Sequence, residues 1–254
     1  MGDRWLLAAA CGVVAGLANV VGGWFAVSRH GWDRVRQSYF MAAGAGFLLA
    51  AVFLRLIPES FRLASNPNGP PTLAVGSLIL VGYLLIHAAE HVLVGHFHFG
   101  EETHHEHWVE PVVGTSALVG LLLHTLLDGV SIGSAFVVQP ALGILVAVAV
   151  FLHKVPEGFT IGSIMISSGR SRKDAFLSAA WLGIATVVGT LTISLWSGLI
   201  TYALPLSAGA ALYVAASDLI PAVNETKGIK MALVVFGGVV LFFATESVLE
   251  RLGL

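Results

Sequence analysis

Apolar residues run along this chain in eight blocks, at 5–27, 38–62, 72–95, 111–137, 141–167, 174–200, 204–223 and 230–251. Short polar breaks divide them: Ser28 to Gln37, Ser65 to Pro71, Phe97 to Glu110, Gln139-Pro140, Ser168 to Lys173, Leu204-Pro205 and Asn224 to Lys230. A helix needs about 20 mostly apolar residues to cross hydrocarbon, and each block meets that length. Backbone groups in hydrocarbon must be satisfied internally, and no stretch shows the alternation of a barrel strand. The pattern predicts an all-α integral membrane protein, a single polytopic domain over 1–254 with eight transmembrane helices.

Eight spans put both termini on one side. The odd-numbered loops hold Arg29, Arg34, Arg36, Arg170, Arg172, Lys173, Lys227 and Lys230, whereas the termini and even-numbered loops hold Arg4, Arg55, Arg62 and Arg251. By the positive-inside bias the odd-numbered loops, including a His-rich loop at 97–110, are cytoplasmic and both termini face out. Composition agrees with the membrane reading: 56% of residues are hydrophobic and 11% charged, against about 25% charged in soluble domains. The net charge of −2 says little about partners, and no basic patch with interleaved aromatics suggests nucleic acid, so none is expected. The single cysteine, Cys11, excludes an intrachain disulfide and a multi-cysteine metal site. The first apolar block reaches Val27, longer than a signal-peptide core, and is read as a span.

One motif is written twice. His124-Thr-Leu-Leu-Asp128-Gly129-Val-Ser131-Ile-Gly133-Ser134 is followed, 29 residues on, by His153-Lys154-Val-Pro156-Glu157-Gly158-Phe-Thr160-Ile-Gly162-Ser163. Ionisable residues at membrane depth are expensive and functional by default. His124 and Asp128 share a helical face, as do His153 and Glu157. Antiparallel neighbours would set His124 level with Glu157 and Asp128 level with His153. Two imidazoles and two carboxylates suit Zn²⁺ and other borderline divalent ions; the alternative is a structural hydrogen-bond network between two helices. Gly129/Gly133 and Gly158/Gly162 have the small-residue spacing that lets membrane helices approach closely. Ser131 and Thr160 either line an ion path or bond back to the i−4 carbonyl. Pro156 deprives the Leu152 carbonyl of its helical partner.

A second repeat joins Ala45-Gly46 and Leu56-Ile57-Pro58 in span two to Ala208-Gly209 and Leu219-Ile220-Pro221 in span seven, 163 residues later. Both repeats relate spans of opposite direction, which predicts a 3+2+3 inverted-repeat arrangement of the kind found in secondary transporters.

His-x-x-x-Asp-Gly in span four and His-x-x-Pro-Glu-Gly in span five resemble the signature of the ZIP family of divalent-metal transporters. The resemblance implies movement of Zn²⁺, or of Fe²⁺, Mn²⁺ or Cd²⁺, toward the cytoplasm across the cell membrane. The ion is cargo, and no prosthetic group or catalytic residue is implied. It also implies transport ligands at His124, Asp128, His153 and Glu157 in helices four and five, and it allows a homodimer. Some members hold two metals, using an Asn after the first histidine and a carboxylate after the second; here those places are Thr125 and Lys154. One metal is therefore expected, with Lys154 in place of the second, either paired with Asp128 or Glu157 when no ion is bound or snorkelling elsewhere.

The flanking candidates are His87, Glu90 and His91 at the end of span three, His104, His105 and His107 in the His-rich loop, and Asp218 in span seven as a release ligand. The loop reads as a metal-gathering tract, its alternative being a solvated polar loop. Arg55 and Asp218 occupy equivalent places in spans two and seven with opposite charge; Glu59, near the outer end of span two, either attracts cations or is a solvated helix end, and Glu246 has no assigned role. The rival reading of the whole chain is an intramembrane metal-dependent hydrolase, which needs an open ligand position and a general base that the sequence does not offer.

Overall fold

The computed structural model describes residues 2–28, 34–65, 69–91, 111–226 and 228–253. The His-rich loop at 97–110, with His104, His105 and His107, lies outside the described residues. The helices are α1 (Gly2–Val27), α2 (Arg34–Ala51), α3 (Ile57–Ala64), α4 (Thr72–Ala89), α5 (Pro111–Val138), α6 (Pro140–Ser167), α7 (Arg172–Leu195), α8 (Ile200–Tyr213), α9 (Ile220–Asn224) and α10 (Ile229–Arg251). Among the described residues, eight helical stretches are long and apolar enough to cross a membrane.

Two spans are composite. A π turn, Val52–Leu56, joins α2 to α3, and a second, Val214–Leu219, joins α8 to α9. Each is followed by a proline, Pro58 or Pro221. A proline ring in a helix collides with the carbonyl four residues back and lacks a donor. Widening the preceding turn relieves this: the Ile57 N–H reaches five residues back to Val52 O, and the Ile220 N–H to Ala215 O.

One predicted boundary is corrected. Leu204-Pro205 is not the break between spans six and seven; Pro205 lies inside α8. The chain leaves the helix at Trp196 and passes through a 3-10 turn at Ser197–Leu199. The apolar pattern hides this break because Trp196 and Leu199 are apolar yet exposed, as interfacial residues are. Pro205 is the sixth residue of α8, where it forfeits a backbone bond to Thr201 without ending the helix.

Helices α1, α5, α6 and α7 pack against one another in every combination. Outside them, α10 packs on α2 and α4 on α8, and the two groups meet where α2 touches α6 and α5 touches α8. The spans of α5 and α6 are 67% and 72% buried, those of α4 and α10 only 22% and 17%. The two motif-bearing helices are thus the centre of the molecule.

Glycines make this density attainable, and their contacts come in pairs. Gly158 of α6 lies against the Asn19 carbonyl of α1, and Gly129 of α5 against the Thr186 carbonyl of α7. Gly22 meets the Val155 carbonyl, and Gly189 the Leu126 carbonyl. In the outer group, Gly46 meets Val235 O and Gly209 meets Ile79 O, while Gly238 meets Ala43 O and Gly82 meets Leu206 O. Members of each pair stand at fixed sequence separations: 29 between α5 and α6, 167 between α1 and α7, 163 between α2 and α8, and 156 between α4 and α10.

A Cβ at Gly158 would press on backbone and not on a side chain that can turn away. Gly158→Val is therefore expected to cost about 1–3 kcal/mol and to lower the melting temperature in detergent. Gly76→Ala, with nothing within 4 Å of the added carbon, is expected to leave it unchanged; thermal unfolding followed by size-exclusion chromatography reads both.

Candidate metal centre

The candidate ligands sit halfway along α5 and α6, where each helix presents one i, i+4 pair toward the other. His124, Asp128, His153 and Glu157 are all buried, and their ligand atoms lie within 4.8 Å of one another. Zn²⁺ bound at about 2.0–2.2 Å requires ligand atoms about 4 Å apart or closer, so small side-chain rotations complete the cage.

The predicted levels are met. His124 Nε2 is 3.4 Å from Glu157 Oε2 and 3.1 Å from Asp128 Oδ2, and His153 Nε2 is 3.2 Å from Asp128 Oδ2. His153 Nδ1–H donates to the Ala149 carbonyl at 3.0 Å. That bond fixes the ring and turns Nε2 toward Asp128 Oδ2, and Nε2 is the nitrogen that a metal ion would take. His124 Nδ1 is buried with no partner among the described residues.

Lys154, fully buried, points into the same place. Its ammonium is 2.6 Å from Asp128 Oδ2 and 2.5 Å from Glu157 Oε2, and donates to Thr125 Oγ1 at 3.1 Å. Three donors find three acceptors. Lys154 thus pairs with both carboxylates, where the sequence left a choice of one. The Thr125 hydroxyl in turn donates to Glu157 Oε1 at 2.5 Å. An unpaired carboxylate in hydrocarbon costs several kcal/mol, and one internal cation spares both acids that cost.

The helix count needs correcting. The site is built from α5 and α6, the fifth and sixth helices, and not from helices four and five. The π turn at Val52–Leu56 divides the second span into two helices, which shifts the numbering; by membrane-length span the two remain the fourth and fifth. Pro156 does not interrupt α6, and the Leu152 carbonyl faces Gly44 of α2. Ser131 does not bond back along its helix; its hydroxyl is buried and unpartnered among the described residues.

The flanking candidates form a second group. The His87 and His91 rings are 4.0 Å apart, and His87 is 5.8 Å from the Tyr213 ring. Tyr213 Oη donates to Glu90 Oε2 at 2.9 Å, and the Asp218 carboxyl meets that of Glu90. Tyr83 Oη and Ser217 Oγ are 2.7 Å apart beside them. Tyr83, Tyr213 and Ser217 were not legible as site residues, because an isolated tyrosine or serine in an apolar run carries no spacing signal. Arg55 is ion-paired with Glu246, and the Arg62 guanidinium contacts Glu59 at 2.5 Å.

The sequence profile of the family described as ZIP Zinc transporter matches residues 110–246, more than half of the chain and a stretch containing all four candidate ligands. A comparison with curated proteins finds no match.

Thr125 touches Glu157 and Lys154 without ranking among the candidate ligands. Thr125→Val is expected to weaken Zn²⁺ binding about tenfold, as loss of an outer-shell partner does, with the fold intact. Competition against a chromophoric chelator measures it.

Proposed function

The chain belongs to the ZIP family of zinc transporters, and we propose that it carries divalent metal ions, Zn²⁺ foremost, toward the cytoplasm through the α5/α6 site. The observation that carries this reading is the meeting of two imidazoles and two carboxylates at mid-span, buried, on adjacent central helices. Membership in a family of transporters sets the hydrolase reading aside.

The ion enters from outside, exchanges water for His124, Asp128, His153 and Glu157, and leaves inward as the helix groups shift around it. The paired glycine contacts support a 3+2+3 inverted repeat: α1 to α4 in one half, α7 to α10 in the other, α5 and α6 between. Such repeats place the site at their interface and give alternating access. Asp218, Glu90, His87 and His91 receive the ion on the cytoplasmic side, and the histidines of loop 97–110, among them His104, His105 and His107, gather it beyond. The protein sits in the cell membrane with both termini outside.

Lys154 stands in place of a second metal, so one ion is carried at a time. Binding a dication among two carboxylates and an ammonium requires the ammonium to withdraw. Lys154→Met is accordingly expected to raise Zn²⁺ affinity by about tenfold or more, given a repulsion of about 4 kcal/mol at 4 Å in a medium of dielectric near 20. Unchanged affinity by equilibrium dialysis would remove Lys154 from this role.

The central test is Zn²⁺ uptake into sealed proteoliposomes. Wild type is expected to fill the vesicles and His153→Ala/Glu157→Ala to show at least a hundredfold less uptake. Binding without movement, across several pH gradients, would contradict a carrier.

A further inference from the structure

The two halves of the molecule match in position and differ in charge, at one place above all. The π turns Val52–Leu56 and Val214–Leu219 occur at the same separation as the rest of spans two and seven, and each carries one charged residue, Arg55 or Asp218. Both of these charged residues face the neighbouring outer helix, and there they meet a glutamate. Arg55 pairs with Glu246 of α10; Asp218 meets Glu90 at the end of α4. Glu90 and Glu246 are themselves counterparts, 156 residues apart like Gly82 and Gly238. One contact is thus built twice, once on α8 and α4 as acid with acid and once on α2 and α10 as acid with guanidinium.

The surroundings differ in the same sense. Around Glu90 stand Tyr213, His87, Tyr83 and Ser217. The counterparts of those four are Ala50, Phe243, Val239 and Leu54. The Arg55–Glu246 pair lines a cavity of about 590 Å³ whose wall includes Leu142 and Leu145 of α6. Leu142 precedes His153 by eleven residues, so the two lie within about 20° on one helical face and about 16 Å apart along α6. The cavity therefore lies over the metal centre on its outer side, with the apolar layer of Val146 and Ala149 between.

We propose that Arg55 is a tethered cation filling the outer copy of the inner acidic place, and that this substitution sets the sidedness of the carrier. Paired with Glu246, the guanidinium denies an incoming dication a resting point on the outer half-path. The inner half-path keeps both carboxyls for the ion. A passive carrier cannot favour one direction at equilibrium, so the asymmetry shows as different apparent affinities at the two faces. The proposal rests on the transport reading and on the inverted repeat.

The test is the external Zn²⁺ concentration that half-saturates uptake in right-side-out cells or vesicles, with thermal stability followed in parallel. Arg55→Glu restores two acids at the outer place and is expected to lower that concentration about threefold or more. The charge exchange Arg55→Glu/Glu246→Arg returns it to the wild-type value. Should Arg55→Glu fail to fold, Arg55→Gln frees Glu246 alone and is expected to move the concentration in the same direction. If folded variants lose thermal stability while half-saturation stays within the wild-type range, the pair is a structural tie and the proposal is overturned. If wild type moves no Zn²⁺, the transport reading falls first, before any variant is compared.

Discussion

The molecule depends on a charge balance in hydrocarbon. Asp128 and Glu157 are placed where water cannot solvate them, and a bare carboxylate there would be expensive. Lys154 neutralises half of that charge through contacts of 2.6 and 2.5 Å, and the Thr125 hydroxyl takes one further lone pair of Glu157. An arriving dication does the same work more completely, because two carboxylates match its charge. The acids therefore have two satisfactory partners, one built in and one arriving, and exchange between them requires no state with both acids bare. This gives a buried lysine among metal ligands a physical reason.

Close approach is the condition for that balance. The two i, i+4 pairs meet only if α5 and α6 are held between α1 and α7 with little side-chain volume at the crossings. Gly158 against Asn19 and Gly129 against Thr186 provide this, each glycine directly following a carboxylate ligand in sequence. The acid and the small residue are one unit: the glycine seats the helix on its outer neighbour, and the acid then points the other way, inward. In lipid, where apolar burial between helices gains little, such packing supplies much of the cohesion.

The site was legible in the sequence to a degree the wider fold was not. His124, Asp128, His153 and Glu157 stand at matched spacing inside apolar blocks, where every polar residue is conspicuous. Their levels followed from antiparallel neighbours alone, and the contacts agree. The break at Trp196 was illegible because its residues are apolar and exposed, and Leu204-Pro205 misled because Pro205 is carried inside α8 and does not end it. The division of span two by a π turn left only Pro58 as its sign, and that one hidden turn displaced the helix numbering. The Glu90–Tyr213 contact had no sequence signal, since it depends on how α4 seats against α8 through Gly82 and Gly209.

The same seating accounts for the fixed separations at which glycines recur along the chain. Glycines, prolines and π turns recur at fixed separations because they decide where helices lie, and a change at any of them would displace a neighbour's backbone. Side chains at the crossing of α2 with α10, and of α8 with α4, are under no such demand. They were free to diverge, and they did so in charge and in polarity: guanidinium against carboxyl, phenylalanine against histidine, valine against tyrosine. The two crossings share their spacing along the chain and differ in their chemistry. The differing residues are not the four ligands themselves, although Asp218 lies near enough to His124 and Glu157 to act on them electrostatically.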